Sequence, residues 1–123
     1  IGVIAPYSAQ AENIQKHYKA KKAQHENLQV DIDTVDAFQG SDRDIIIYDI
    51  TRSSLDTKTN IEFVADEKRL NVALSRAKTL LFIVGDADYI YKASIKDKEN
   101  PFKKIIELIH NDKNNYSIKD MPK

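Results

Sequence analysis

Two near-continuous apolar runs constrain this chain most: Ile45-Ile46-Ile47-Tyr48-Asp49-Ile50 and Leu80-Leu81-Phe82-Ile83-Val84. Their β-branched, unalternating character is that of central parallel strands covered on both faces. Ile1-Gly2-Val3-Ile4-Ala5 reads as a further buried strand closed by Pro6, and Val30–Val35 alternates like a strand exposed on one face. Helical periodicity appears at about 9–24, 66–78, 87–94 and 101–111. Ser8 can cap the first of these helices. The last has Asn100 as its cap, Pro101 at its first position, and Phe102, Ile105, Ile106 and Ile109 as its buried stripe. Strands alternating with helices give an α/β fold: a mostly parallel sheet with helices on both faces, in one three-layer domain over 1–112. Residues 113–123 read as a polar tail.

Open parallel sheets bind ligands at the carboxyl ends of their strands. The loops leaving those ends are Pro6–Gln10, Thr34–Asp44, Thr51–Ser53 and Gly85-Asp86. One shared sheet edge is therefore the expected place for a site. Net charge gives no help: 19 basic and 19 acidic residues cancel, so a nucleic-acid partner needs a local patch. The absence of cysteine excludes disulfides and cysteine-ligated zinc. No apolar run reaches membrane-spanning length, and no signal peptide is read. A chain opening inside a core strand without methionine reads as a piece of a longer protein.

The run Arg69-Leu70-Asn71-Val72-Ala73-Leu74-Ser75-Arg76-Ala77-Lys78 carries two arginines seven residues apart. At roughly 100° per residue they fall on one line beside the apolar face of Leu70, Ala73, Leu74 and Ala77. Arginine is permanently charged, and its planar fork matches phosphate oxygens. On spacing alone, an amphipathic helix with solvated arginines explains the run better. Lys16, Lys19, Lys21 and Lys22 likewise read as a solvated face.

Thr34-Val35-Asp36-Ala37-Phe38-Gln39-Gly40-Ser41-Asp42 follows a strand directly. Asp36 and Gln39 stand at capping-box spacing, so a helical turn can begin at Asp36, and Gly40 can end it at positive φ. The segment is either a tight connection or a source of hydroxyl, backbone and carboxylate groups for phosphate and sugar. Only Gly2, Gly40 and Gly85 are present, so no G-x-x-x-x-G-K-[ST] phosphate loop can be drawn. Asp49 without such a loop reads as structural. His17, His25 and His110 are scattered, which gives triad and zinc readings no support.

Together these segments resemble a family. TVDAFQGSDRDIII with an arginine after the strand, then RLNVALSRAK, then an apolar strand ending in glycine, resemble superfamily 1 helicases of the Upf-like branch. IGVIAPYSAQ resembles the strand and Pro-Tyr-x-x-Gln that open that family's second motor domain. The likeness runs in register from residue 1 to about 90.

The resemblance implies the carboxyl-terminal RecA-like domain of an ATP-dependent motor, with a P-loop NTPase-type fold. Motif V would lie near 34–44 and motif VI near 69–78. ATP and Mg²⁺ would sit in a cleft, with the magnesium ligands on the amino-terminal RecA-like domain. Arg76 would be an arginine finger and Arg69 its support. Gly40, Asp42 and Gln39 would lie at the nucleotide; family members often carry Glu at the position of Asp42. Thr34, Tyr7, Gln10 and Arg52 would touch nucleic acid. The partner would be single-stranded or duplex DNA or RNA, translocation would run 5′→3′, and the location would be cytoplasmic or nuclear. A different class fits the same residues: a non-catalytic nucleic-acid-binding or scaffolding module on a degenerate motor fold. Sequence upstream of Ile1 separates the two by the presence or absence of a phosphate loop.

Overall fold

A computed structural model describes the chain apart from residues 25, 39, 52–60, 62, 97, 118 and 120–123. Four strands form its sheet: β1 (Gly2–Ala5), β2 (Asp31–Thr34), β3 (Arg43–Asp49) and β4 (Ala77–Val84). They lie in the order β2-β1-β3-β4, and every pairing is parallel. Parallel neighbours need crossovers. One is α1 (Ser8–Lys21), continued by a 3-10 turn over Lys22–Gln24; another is α2 (Glu67–Ser75) between β3 and β4. Two helices follow, α3 (Ala87–Lys92) and α4 (Pro101–Asn111). The α/β, RecA-like architecture read from the sequence is the one observed.

Register divides the core between two faces. Gly2 pairs with Ile46 and Ile4 with Tyr48, while Ile46 and Tyr48 pair with Leu81 and Ile83. These residues share the face on which Ile4, Ile46, Tyr48 and Ile50 cluster with Val35, Phe38, Leu70, Ala73, Ile90 and Phe102. The opposite face holds Val3 with Ile32 and Ile47 with Phe82. There α1 packs on β1 and β2, burying Ala11.

Several expectations are corrected. The run Leu80–Val84 is not covered on both faces: β4 is an edge strand, and Leu80 and Phe82 are 45% and 50% exposed. The α2 helix ends at Ser75, not 78, because Arg43 N–H donates to the Arg76 carbonyl and Ala77 already pairs with Arg43. Ser8 is the first helical residue rather than the cap; Tyr7 is the cap and makes no side-chain hydrogen bond there. The turn expected from Asp36 begins one residue earlier, over 35–38, with Phe38 N–H donating to the Thr34 and Val35 carbonyls. On α4 only Phe102 of its stripe is fully buried.

Gly2 decides how closely the 35–42 segment lies on the sheet. A Cβ there would stand 2.7 Å from Ile46 Cδ1 and 2.9 Å from Phe38 Cε1. Gly2→Ala must push the Phe38 ring off β1, at a cost of about 1–3 kcal/mol of stability, measurable by urea denaturation.

Burial of Tyr48, with smaller contributions from Tyr7 and Asp49, pushes its phenol well above the ordinary value near 10. A folded-state pKa raised above the unfolded one contributes stability that is complete below the unfolded value and lost as pH rises past it. The urea midpoint should hold steady to about pH 9 and fall above about pH 10. Tyr48→Phe should flatten that fall.

Candidate functional site

In a parallel sheet, a connection from the end of β2 to the start of β3 must travel back along the sheet. The 35–42 segment does so over the core face, with Val35 and Phe38 as its buried anchors. The α2 helix runs back on the same face, from the β3 end to the β4 start. Segment and helix meet through two ion pairs. Arg69 Nε lies 3.8 Å from Asp36 Oδ1, and Arg76 Nη1 lies 3.2 Å from Asp42 Oδ1.

This arrangement revises the expected single edge. Arg69 lies in the first turn of α2, near the carboxyl ends of the strands. Asp42 and Arg76 immediately precede β3 and β4, at their amino ends. Seven residues of helix separate the arginines by about 10 Å. The candidate site is thus a side wall and not a rim, with a cationic group at each end.

At the lower end, Arg76 is held on several sides. Its Nε donates to the Val72 carbonyl at 3.1 Å and its Nη2 to Ser75 Oγ at 3.3 Å, beside the Asp42 contact. Its carbonyl is tied to Arg43 N–H at 2.9 Å. The side chain retains 20% exposure, so it is accessible yet fixed. Gly40 has φ 78°, as expected, and reverses the chain just before Asp42. Arg43 is occupied elsewhere: it reaches Asp31 at 3.0 Å and Ser41 Oγ at 2.6 Å, and lies over the Phe38 ring.

At the upper end, Asp66 caps α2 by accepting from Arg69 N–H at 2.9 Å. The Arg69 guanidinium lies 4.5 Å from the centre of the Phe63 ring, which stacks on Tyr7 at 4.9 Å. Cation–π contact and stacking hold Arg69 more firmly than its long pair with an exposed Asp36. Close by, Gln10 Nε2 donates to Asp49 Oδ2 at 2.8 Å, and Thr51 N–H donates to Asp49 Oδ1 at 2.9 Å. Thr51 takes φ 70°, a strained value for a β-branched residue, and the Asp49 contact holds it there.

Of the residues singled out in the sequence, Tyr7 and Arg69 meet through Phe63, and Asp42 meets Arg76. Gln10 joins Asp49, while Thr34 lies at the end of β2. Gln39 and Arg52 lie outside the described residues. No group of three or more potential metal ligands occurs among the described residues.

Comparison with known proteins adds the family. A domain family described as "AAA domain" matches residues 1–88. Helicase sen1 of Schizosaccharomyces pombe is 41% identical over 88 residues, 72% of this chain. The chain belongs to the Upf-like superfamily 1 helicases. The Regulator of nonsense transcripts 1 homolog of Drosophila melanogaster is 38% identical to this helicase domain over 97 residues, 77% of the chain and 8% of that protein. The DNA polymerase alpha-associated DNA helicase A of Saccharomyces cerevisiae is 37% identical over 99 residues, 78% of the chain and 13% of that protein. This helicase domain spans 5% of the Schizosaccharomyces pombe protein, so it corresponds to a small part of each relative. No helix among its described residues is long and apolar enough to cross a membrane.

Two residues of the site escape sequence reasoning. Phe63 gives a faint signal, an aromatic residue placed just before the Asp66 cap. Asp36 is visible only as a capping residue. Its pairing with Arg69 depends on the return path of the 35–42 segment, which local spacing does not encode.

Proposed function

We propose that this helicase domain is the carboxyl-terminal motor domain of an ATP-driven translocase, and that its α2 wall faces the nucleotide cleft. The observation that carries the reading is Arg76: fixed, partly exposed, and set on a domain whose sequence has no phosphate loop. An arginine without a phosphate cradle suits a site completed from two sides. The amino-terminal RecA-like domain would hold the β- and γ-phosphates and the Mg²⁺, which would neutralise charge on the phosphate oxygens during transfer.

On this reading the residues divide the work by height along the wall. Arg76 donates to the γ-phosphate and neutralises charge as the terminal bond breaks. Arg69, braced by Phe63 and Tyr7 and paired with Asp36, supports the upper end of the wall and ties α2 to the 35–42 segment. Thr34, Tyr7 and Gln10 lie on or beside loops at the carboxyl ends of the strands, where a single strand of DNA or RNA would cross, and Arg52 would join them in touching it. Phosphate and sugar contacts there give grip without sequence preference. Loss of the γ-phosphate releases Arg76 and opens the cleft. Alternation between the two states moves the strand.

The test uses the full-length protein: ATP turnover with and without single-stranded nucleic acid, and strand displacement on matched DNA and RNA duplexes. The expected result is nucleic-acid-stimulated hydrolysis with unwinding. Binding without hydrolysis would select the non-catalytic module instead. The 123-residue chain alone should neither hydrolyse ATP nor bind it tightly, and stimulated turnover by this chain would overturn the two-domain reading.

A further inference from the structure

We infer that Asp42 is a positioning residue that parks Arg76 in the open domain and hands it to the incoming phosphate. The inference rests on the reading of Arg76 as the residue that meets ATP, and it gives Asp42 a role distinct from touching the nucleotide.

The geometry supports an exchange rather than a permanent bond. All three guanidinium nitrogens of Arg76 have protein partners: Nε on the Val72 carbonyl, Nη2 on Ser75 Oγ and Nη1 on Asp42. Two of these partners belong to the last turn of α2 and move with Arg76. Asp42 is the one charged partner among the described residues and the one that belongs to a different segment, so it ties the guanidinium to the 35–42 segment. Asp42 is also half-exposed, with 49% of its side chain open to solvent. A pair this open is weak enough to be broken by a stronger acceptor. A triphosphate carries more negative charge than one carboxylate and presents several oxygens to the same fork. Arg76 can therefore change the partner of Nη1 while Val72 and Ser75 keep Nε and Nη2 anchored. Short reach is part of the arrangement: Gly40 turns the chain at positive φ, and Arg43 N–H is pinned to the Arg76 carbonyl, so Asp42 is delivered beside the guanidinium by backbone alone.

In the open domain Asp42 neutralises Arg76, so an isolated domain presents less positive charge to stray phosphates. On closure the carboxylate must be displaced, which lowers apparent ATP affinity by the strength of the pair. Removing the charge should relieve that competition.

The experiment measures a non-hydrolysable ATP analogue binding to the full-length protein, and nucleic-acid-independent ATP turnover. Asp42→Asn keeps the shape and one acceptor but removes the charge. It should tighten analogue binding and raise unstimulated turnover, each about two- to fivefold, the range expected for a half-exposed ion pair. Asp42→Glu should restore wild-type behaviour. In an Arg76→Ala background, Asp42→Asn should leave analogue affinity unchanged. Unchanged or weaker binding for the single variant overturns the inference. So does an effect that persists without Arg76, or one that disappears when the analogue lacks its ribose hydroxyls, because Asp42 would then act on the nucleotide itself. Failure of the underlying reading looks different: Arg76→Ala would retain wild-type turnover, whatever Asp42 does.

Discussion

In the full-length protein, Arg76→Ala should lower ATP turnover by roughly 10³–10⁵-fold while leaving ATP affinity within a few-fold of wild type. The asymmetry follows from where the guanidinium sits. Arg76 stands one residue past the end of α2, fixed by its own helix turn and by Asp42, and shares no segment with a phosphate loop. Most ground-state binding would come from the other domain, so removal of Arg76 costs little there. Charge that develops as the terminal phosphoryl group departs would lose its nearest neutralising group. Arg76→Lys should recover only a small part of the loss, since a point charge cannot span two phosphate oxygens. Arg69→Ala should do much less to turnover, because its best partner is the Phe63 ring and it lies about two helical turns away. Steady-state turnover and direct nucleotide binding, measured on the same preparations, separate the two terms. Wild-type turnover in Arg76→Ala would remove the arginine-finger assignment altogether.

Why some of this is legible in the sequence and some is not comes down to range. The run Ile45–Ile50 reports β3 because burial on a parallel sheet leaves a continuous apolar signature, and Asn100-Pro101 marks the start of α4 because capping is local chemistry. Periodicity misplaces the end of α2 for the converse reason. Leu74 and Ala77 continue the helical pattern, but the Arg43–Arg76 backbone bond and the pairing of Ala77 with Arg43 draw the chain into β4, and that competition comes from a strand far away in sequence. The same range effect turns an expected rim into a wall. Position after a strand predicts the carboxyl edge correctly for Tyr7, Gln10 and Asp36, which stay near it. Asp42 follows β2 in sequence by the same rule, yet lies at the opposite end because the 35–42 segment has already travelled the length of β3. Leu80 and Phe82 illustrate a further limit: an apolar run says that a strand can be covered on both faces, not that it is.

Asn100→Asp should be among the most destabilising conservative exchanges in this domain, although Asp and Asn are ordinarily equal as helix caps. The cap itself would survive, since Asn100 Oδ1 accepts from Phe102 N–H at 3.0 Å and a carboxylate oxygen can do the same. What changes is the other end of the amide. Asn100 Nδ2 donates to the Ile90 carbonyl at 2.6 Å and the Ala93 carbonyl at 3.0 Å, and so clasps the end of α3 to the start of α4. The substitution would place a negative oxygen against two carbonyl oxygens at a residue that is only 6% exposed. Two hydrogen bonds are lost, two acceptors lose their donor, and a charge is buried without a partner. Together these should cost about 3–5 kcal/mol, or more than about 10 °C in melting temperature. Repulsion from the carbonyls would raise the folded-state pKa of the introduced carboxyl above its unfolded value near 4. Stability lost in this way is regained as pH falls, so the deficit against wild type should be largest near pH 7 and shrink toward about pH 4, where the protonated carboxyl can donate to one carbonyl. Asn100→Ser, which keeps a cap and adds no charge, should show a smaller deficit with no such pH dependence. Thermal melts of the wild type and both variants at the two pH values test this directly. Equal stability of the wild type and Asn100→Asp at pH 7 would mean that the clasp between α3 and α4 contributes nothing.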